Sequence, residues 1–138
     1  YYYDGKDEEW VYTPTENNRR KQILTAELEQ MDAVTVIQDL DSPQIKNTFP
    51  GNSGRYHIQD VNRIEIEVDD SISGIESEEA SFDLLLNDNP VYPAYQPLKK
   101  TVSYNFDHPL KEGQHKIDFK VRDRMGNESA KTIYFSVY

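Results

Sequence analysis

Polar and apolar residues alternate one by one in a series of short runs along this chain. Arg63-Ile64-Glu65-Ile66-Glu67-Val68-Asp69 is the clearest. A strand turns successive side chains to opposite faces, so Ile64, Ile66 and Val68 share one side while Glu65 and Glu67 take the other. Phe82, Leu84 and Leu86 alternate in the same way and are followed by the turn signal Asn87-Asp88-Asn89-Pro90. Val91-Tyr92-Pro93-Ala94-Tyr95 reads as an edge strand because of Pro93. Thr101–Phe106, His115–Val121 and Thr132–Tyr138 complete the set, the last two directing Ile117, Phe119, Val121, Ile133, Phe135 and Val137 inward. No helical stretch of comparable quality separates these runs. Their spacing predicts an antiparallel β-sandwich rather than strand–helix units. Six or seven strands in about 95 residues fit an immunoglobulin-like domain.

The first 42 residues are less regular. Trp10-Val11-Tyr12 and Ile23–Leu28 read as strands, and the second passes into a segment, Glu27–Met31, that also permits a helical turn. Ala33-Val34-Thr35-Val36-Ile37 is the most β-branched and is expected to be the best strand of the three. Three strands in about 40 residues cannot form a sandwich alone. Residues 1–42 are therefore expected to be a β-rich extension, the remnant of a preceding domain. Gln38–Pro43 would be the linker and residues 43–138 the sandwich. One continuous larger sandwich is the alternative.

Charge and composition narrow the function. The chain has 138 residues, 25 acids and 15 bases, for a net charge of −10. Nucleic acid is excluded as a partner, since phosphate binding needs a basic stripe. The ten acids and four bases of residues 1–42 and the fifteen and eleven of residues 43–138 show acidity spread through both parts. No apolar run approaches the length of a membrane span. With no cysteine, disulfides, thiolate metal sites and a cysteine nucleophile are all excluded. The core must hold by apolar burial, at about 1.5–3 kcal/mol for each fully buried Ile, Leu or Phe. The chain opens at Tyr1 without a signal pattern and reads as an excised piece.

The order of Asp69-Asp70-Ser71-Ile72-Ser73-Gly74-Ile75, Pro109-Leu110-Lys111-Glu112-Gly113-Gln114-His115 and Val121-Arg122-Asp123-Arg124-Met125-Gly126-Asn127 resembles bacterial immunoglobulin-like and fibronectin-III-like surface modules. Asp41-Ser42-Pro43-Gln44-Ile45 resembles the opening of such modules. The nearest type lies C-terminal to cell-envelope peptidases, including lysostaphin-type zinc endopeptidases. The resemblance covers about 95 residues. It implies an extracytoplasmic accessory module without catalytic residues, whose partner is a neighbouring domain or another envelope protein. Gly74 and Gly126 are expected at positive φ. Asp123 and Asn127 are expected to hydrogen-bond loop amides, and Leu110 to plug the core where the chain crosses between sheets.

Candidate chemistry is sparse. His57, His108 and His115 are not spaced as a zinc site, and there is neither a nucleophile elbow nor a glycine-rich phosphate loop. A Ser/His/Asp triad and paired carboxylates carry no specific signal here. No cofactor is expected, apart from calcium. That ion takes six to eight oxygens, and Asp39, Asp41, Asp69 and Asp70 are its candidate ligands, with Asp88 and Asp123 in further loops. Exposed aromatic rings stack on sugars, so Trp10, Tyr12, Tyr92 and Tyr95 form the candidate surface for a partner or a cell-wall glycan. The edge around Val91–Tyr95 could accept another strand.

Overall fold

A computed structural model describes residues 1–28 and 33–138, with the backbone alone at Glu9. They form two compact units, Tyr1–Asp39 and Leu40–Tyr138.

The first unit holds two antiparallel ribbons. β1 (Tyr2–Asp4) pairs with β2 (Glu9–Val11), and β3 (Thr15–Asn18) with β4 (Ile23–Ala26). Ala33–Ile37, expected to be the best strand here, is not one. Only Val34 bridges, to Tyr2, and Val36 is 75 % exposed. β-Branching favours a strand only where a partner and a packing surface exist. β1 offers three residues, and β2 already occupies its other side. The helical turn allowed through Met31 runs into residues 29–32, outside the described residues.

The second unit is an immunoglobulin-like β-sandwich. In order come β5 (Gln44–Phe49), β6 (Gly54–Tyr56), β7 (Arg63–Asp69), β8 (Phe82–Leu86) and β9 (Asn89–Val91). β10 (Ala94–Gln96), β11 (Thr101–Asn105), β12 (Gly113–Arg122) and β13 (Glu128–Val137) follow. One sheet has the order β10-β11-β7-β5, the other β6-β13-β12-β8-β9. Pairing is antiparallel except between β6 and β13. This is the four-strand and extended three-strand division of the immunoglobulin fold.

Alternation in the sequence becomes layering in the sandwich. Ile64, Ile66 and Val68 of β7 and Val102 of β11 supply one inner face. Phe82, Leu84, Ile117, Phe119, Val121, Ile133, Phe135 and Val137 supply the other. Phe119 lies stacked over Phe82 with centroids 6.4 Å apart, and Leu110 packs on the core between β11 and β12. Gly74 and Gly126 have φ of 76° and 89°. Ser129 Oγ donates to the carbonyl of buried Pro43, tying the start of the sandwich to β13.

Val91–Tyr95 is two strands rather than one. The chain turns at Asn87-Asp88, both at positive φ, and pairs β9 with β8. It then leaves that sheet through Tyr92-Pro93 and pairs β10 with β11 in the other. Each piece is an edge of three residues. Pro90 interrupts one, and Pro93 and Pro97 bracket the other. The edge strand β5 carries a bulge where Lys46 and Asn47 oppose Glu67. β6 has three residues.

Candidate functional site

The outer face of the five-stranded sheet carries a groove of about 490 Å³. Strand parity explains what lines it. With Leu84, Phe119 and Ile133 turned inward, Asp83 and Leu85 of β8, Asp118 and Lys120 of β12, and Ala130 and Thr132 of β13 must face outward. The register sets them in cross-strand rows. Asp118 lies between Leu85 and Thr132, and Lys120 between Asp83 and Ala130. Pro90 extends the first row, and Tyr92 closes the groove where the chain leaves the sheet. Tyr92 is 74 % exposed.

Charges around this groove are held against one another. Lys116 Nζ reaches Asp118 at 2.7 Å and Asp88 at 3.1 Å, and Thr132 Oγ1 donates to Asp118 at 2.6 Å. Arg122 bonds Asp83 at 2.7 Å and Glu128 at 2.5 Å. The Lys116 hydrogen bond, then that of Thr132, holds the Asp118 carboxyl below its usual range. Arg122 does the same for Glu128. What remains for contact is Tyr92, Pro90, Leu85 and Ala130 in a frame of fixed charges. Such a surface can stack a flat ring or cover an apolar side chain.

Tyr95 lies apart from it. Tyr95 turns toward the core, its ring 5.0 Å from Phe82, and burial raises its phenol pKa. The sheet crossing at Pro93 thus separates Tyr92 from Tyr95, which the sequence had set side by side. Trp10 and Tyr12 belong to the first unit. There Trp10 meets Tyr3 edge-on at 5.4 Å and Tyr12 meets Tyr1 at 5.5 Å.

The candidate metal ligands belong to both units. Asp39 is buried at the end of the first unit. Asp41, Asp69 and Asp70 line a cleft of the second with Ser42, Gln44 and Ser71. Asp69 is already clamped by Lys46 and Lys100, each at 2.6 Å. Those hydrogen bonds, Lys100 foremost, lower its pKa. Asp70 and Asp123 bring carboxylate oxygens within 4.8 Å of each other. Asp70 accepts from the Gly74 amide and from Ser73 Oγ. Asp123 accepts from the amides of Met125 and Asn127 and from Asn127 Nδ2. A carboxylate has about four acceptor sites, so Asp123 has most of its capacity committed to its own loop. The backbone bond from Arg124 to the Gly74 carbonyl joins the two loops. Among the described residues no histidine joins a cluster of ligand-bearing side chains. His115 is buried on Phe135, accepting from Asn87 at Nδ1 and donating from Nε2 to the Lys111 carbonyl.

The clamped carboxylates fix the sign of the pH dependence. Asp69, Asp118 and Glu128 stay ionised in the fold to lower pH than in the open chain. Their contribution is complete above the ordinary carboxylate range, about pH 4–5, and is lost as pH falls through the lowered folded values. Asp69→Asn should melt below the wild type at pH 7, and the gap should close near pH 2. Thermal melts at the two pH values check this; a gap of equal size at both would mean that charge is not what Asp69 contributes.

Sequence reasoning named Tyr92 as a candidate and did not name the other residues that line the groove. Leu85 was the available signal, since it is a leucine at an outward position of an alternating strand.

No family model matches the chain, and no curated protein matches it in sequence. Among solved structures it is similar to CopC from Methylosinus trichosporium OB3b, with a TM-score of 0.53 over 69 % of this chain and 92 % of that one, at 14 % identity. At that identity the likeness is one of fold, an all-β sandwich.

Proposed function

We propose that this chain is a non-catalytic module of a bacterial envelope or secreted protein, placed outside the cytoplasm, that spaces, orients or docks a neighbouring domain. In this reading residues 43–138 are the module, and residues 1–42 are the remnant of a preceding domain with its linker. The observation that carries docking is the groove beside Tyr92, an apolar strip on an otherwise charged sheet face. The extracytoplasmic placement rests on the surface-module motifs around Gly74, Gly113 and Gly126, and a cysteine-free core suits it. The resemblance makes a peptidase the first neighbour to look for. No helix of the described residues is long and apolar enough to cross a membrane.

The test is a photo-crosslinking residue placed at Tyr92 in the natural full-length protein, with Glu65 on the other sheet as the control. Crosslinks to a neighbouring domain or a single partner are expected from position 92 only. Equal yields from both positions would set docking aside.

A second reading, a targeting module for cell-wall glycan, is favoured by the same exposed ring lying beside Asp83 and Thr132. It predicts that Tyr92→Ala lowers the fraction sedimenting with insoluble peptidoglycan about fivefold, the equivalent of roughly 1 kcal/mol. An unchanged fraction disposes of it.

Neither reading needs a cofactor. Calcium is the ion that the oxygen-lined loops around Asp41 and Asp70 would suit. Because Asp69 and Asp123 are already engaged, millimolar calcium added to chelator-treated protein should leave Tm within about 1 °C, whereas an ion bound only by the fold would raise it. A rise of several degrees would assign a calcium site.

A further inference from the structure

We infer that the tip of the β3–β4 ribbon is a docking site for an anionic lipid surface, an inference independent of the module's partner.

The ribbon turns through Arg19-Arg20-Lys21-Gln22, with the Lys21 amide bonded to both the carbonyl and the side chain of Asn18. Three consecutive cations are exceptional in a chain of net charge −10. All three are exposed, and none takes part in an ion pair among the described residues. In the sandwich seven of the eleven cations, Lys46, Lys100, Lys116 and Arg122 among them, are bound to carboxylates.

The residues next to the turn decide the kind of partner. Ile23 and Leu24 are 50 % and 46 % exposed and oppose Asn18 and Asn17. As consecutive strand residues they point to opposite faces of the ribbon. A protein partner docking on one face would cover one and leave the other wet. A bilayer interface surrounds an entering ribbon end on every side and buries both, while the long Arg and Lys side chains of the turn reach back to the headgroup phosphates. Cations at the turn, with an aliphatic side chain on each face of the ribbon behind them, match an anionic lipid surface. The acidity of the rest of the chain does not forbid the approach, because charges beyond about 8 Å are largely screened at physiological salt.

The test is co-sedimentation of the whole chain with vesicles of phosphatidylglycerol and phosphatidylcholine in equal parts, against phosphatidylcholine alone. Three cations at an anionic surface are worth roughly a hundredfold in partition. At least tenfold preference for the mixed vesicles is expected, weakening with salt. The combined Arg19→Gln, Arg20→Gln and Lys21→Gln variant should fall to the phosphatidylcholine level. Ile23→Ser with Leu24→Ser should bind at least threefold less. All five positions are exposed, and an unchanged melting curve for each variant confirms folding. Equal sedimentation on both vesicles, or full binding by the glutamine variant, overturns the inference. So does full binding by the serine variant, since the tip would then be reading negative charge without lipid.

Discussion

Phe119→Ala is expected to cost about 3–5 kcal/mol, the usual range for emptying a buried phenylalanine site. The ring is 2 % exposed and sits at the centre of the five-stranded sheet, on the strand flanked by both β8 and β13. Phe82 stacks against it, and Leu84 lies directly across the ladder. Strands on both sides hold the backbone, so the surroundings can collapse only partly into the space. A domain of this size has about 5–15 kcal/mol in total, so a fifth or more of its stability is at stake. Each kcal/mol shifts the melting point of a domain near 100 residues by about 4–8 °C. Chemical denaturation of the variant and the wild type gives the comparison. A loss below about 1.5 kcal/mol, the range of a single-methyl trim, would mean that the two sheets do not close on this ring.

Asp123→Ala should be the second most damaging change, at about 2–4 kcal/mol, because it removes a buried carboxylate that accepts from two amides and a side chain of its own turn. The carboxylate is 6 % exposed and receives the Met125 and Asn127 amides at 2.8 Å and the Asn127 side chain at 2.7 Å. It shapes the turn that joins the two longest strands, where Gly126 supplies the left-handed residue. The effect should spread, since the Arg124 amide of the same turn bonds to Gly74. Faster amide exchange is therefore expected in residues 70–75 as well as 123–127. Asn127→Ala keeps both backbone bonds to Asp123 and should lose less than half as much. Equal losses from the two variants would place the side-chain pair, rather than the carboxylate–amide bonds, at the heart of the turn.

Alternation made the centre of the sandwich legible. β7, β8, β11, β12 and β13 each bury one face, and period two survives in the sequence wherever that holds. β5 was hidden because its bulge at Lys46-Asn47 shifts the period within six residues. β9 and β10 were fused because Pro93 signals an edge without saying that the chain changes sheets there. Ala33–Ile37 shows the reverse error, β-branched residues without a surface to pack on. The candidate site was legible as single residues only. Tyr92 stands out by its chemistry, whereas Leu85, Asp118 and Thr132 become its neighbours through register, which no local pattern encodes. Asp70 and Asp123 were each marked by a loop motif, but their approach is a product of the sandwich closing.

The interrupted edges bear on what happens when units of this kind are joined in series. Short linkers hold neighbouring units at effective concentrations in the millimolar range, where an open strand edge would recruit the next chain during any partial unfolding. Here Pro90, Pro93 and Pro97 and the Lys46 bulge break the edges formed by β9, β10 and β5 into short pieces. A unit pulled open in such a string would find its own strands again sooner than those next door, and the string could yield and recover under load without fusing its links.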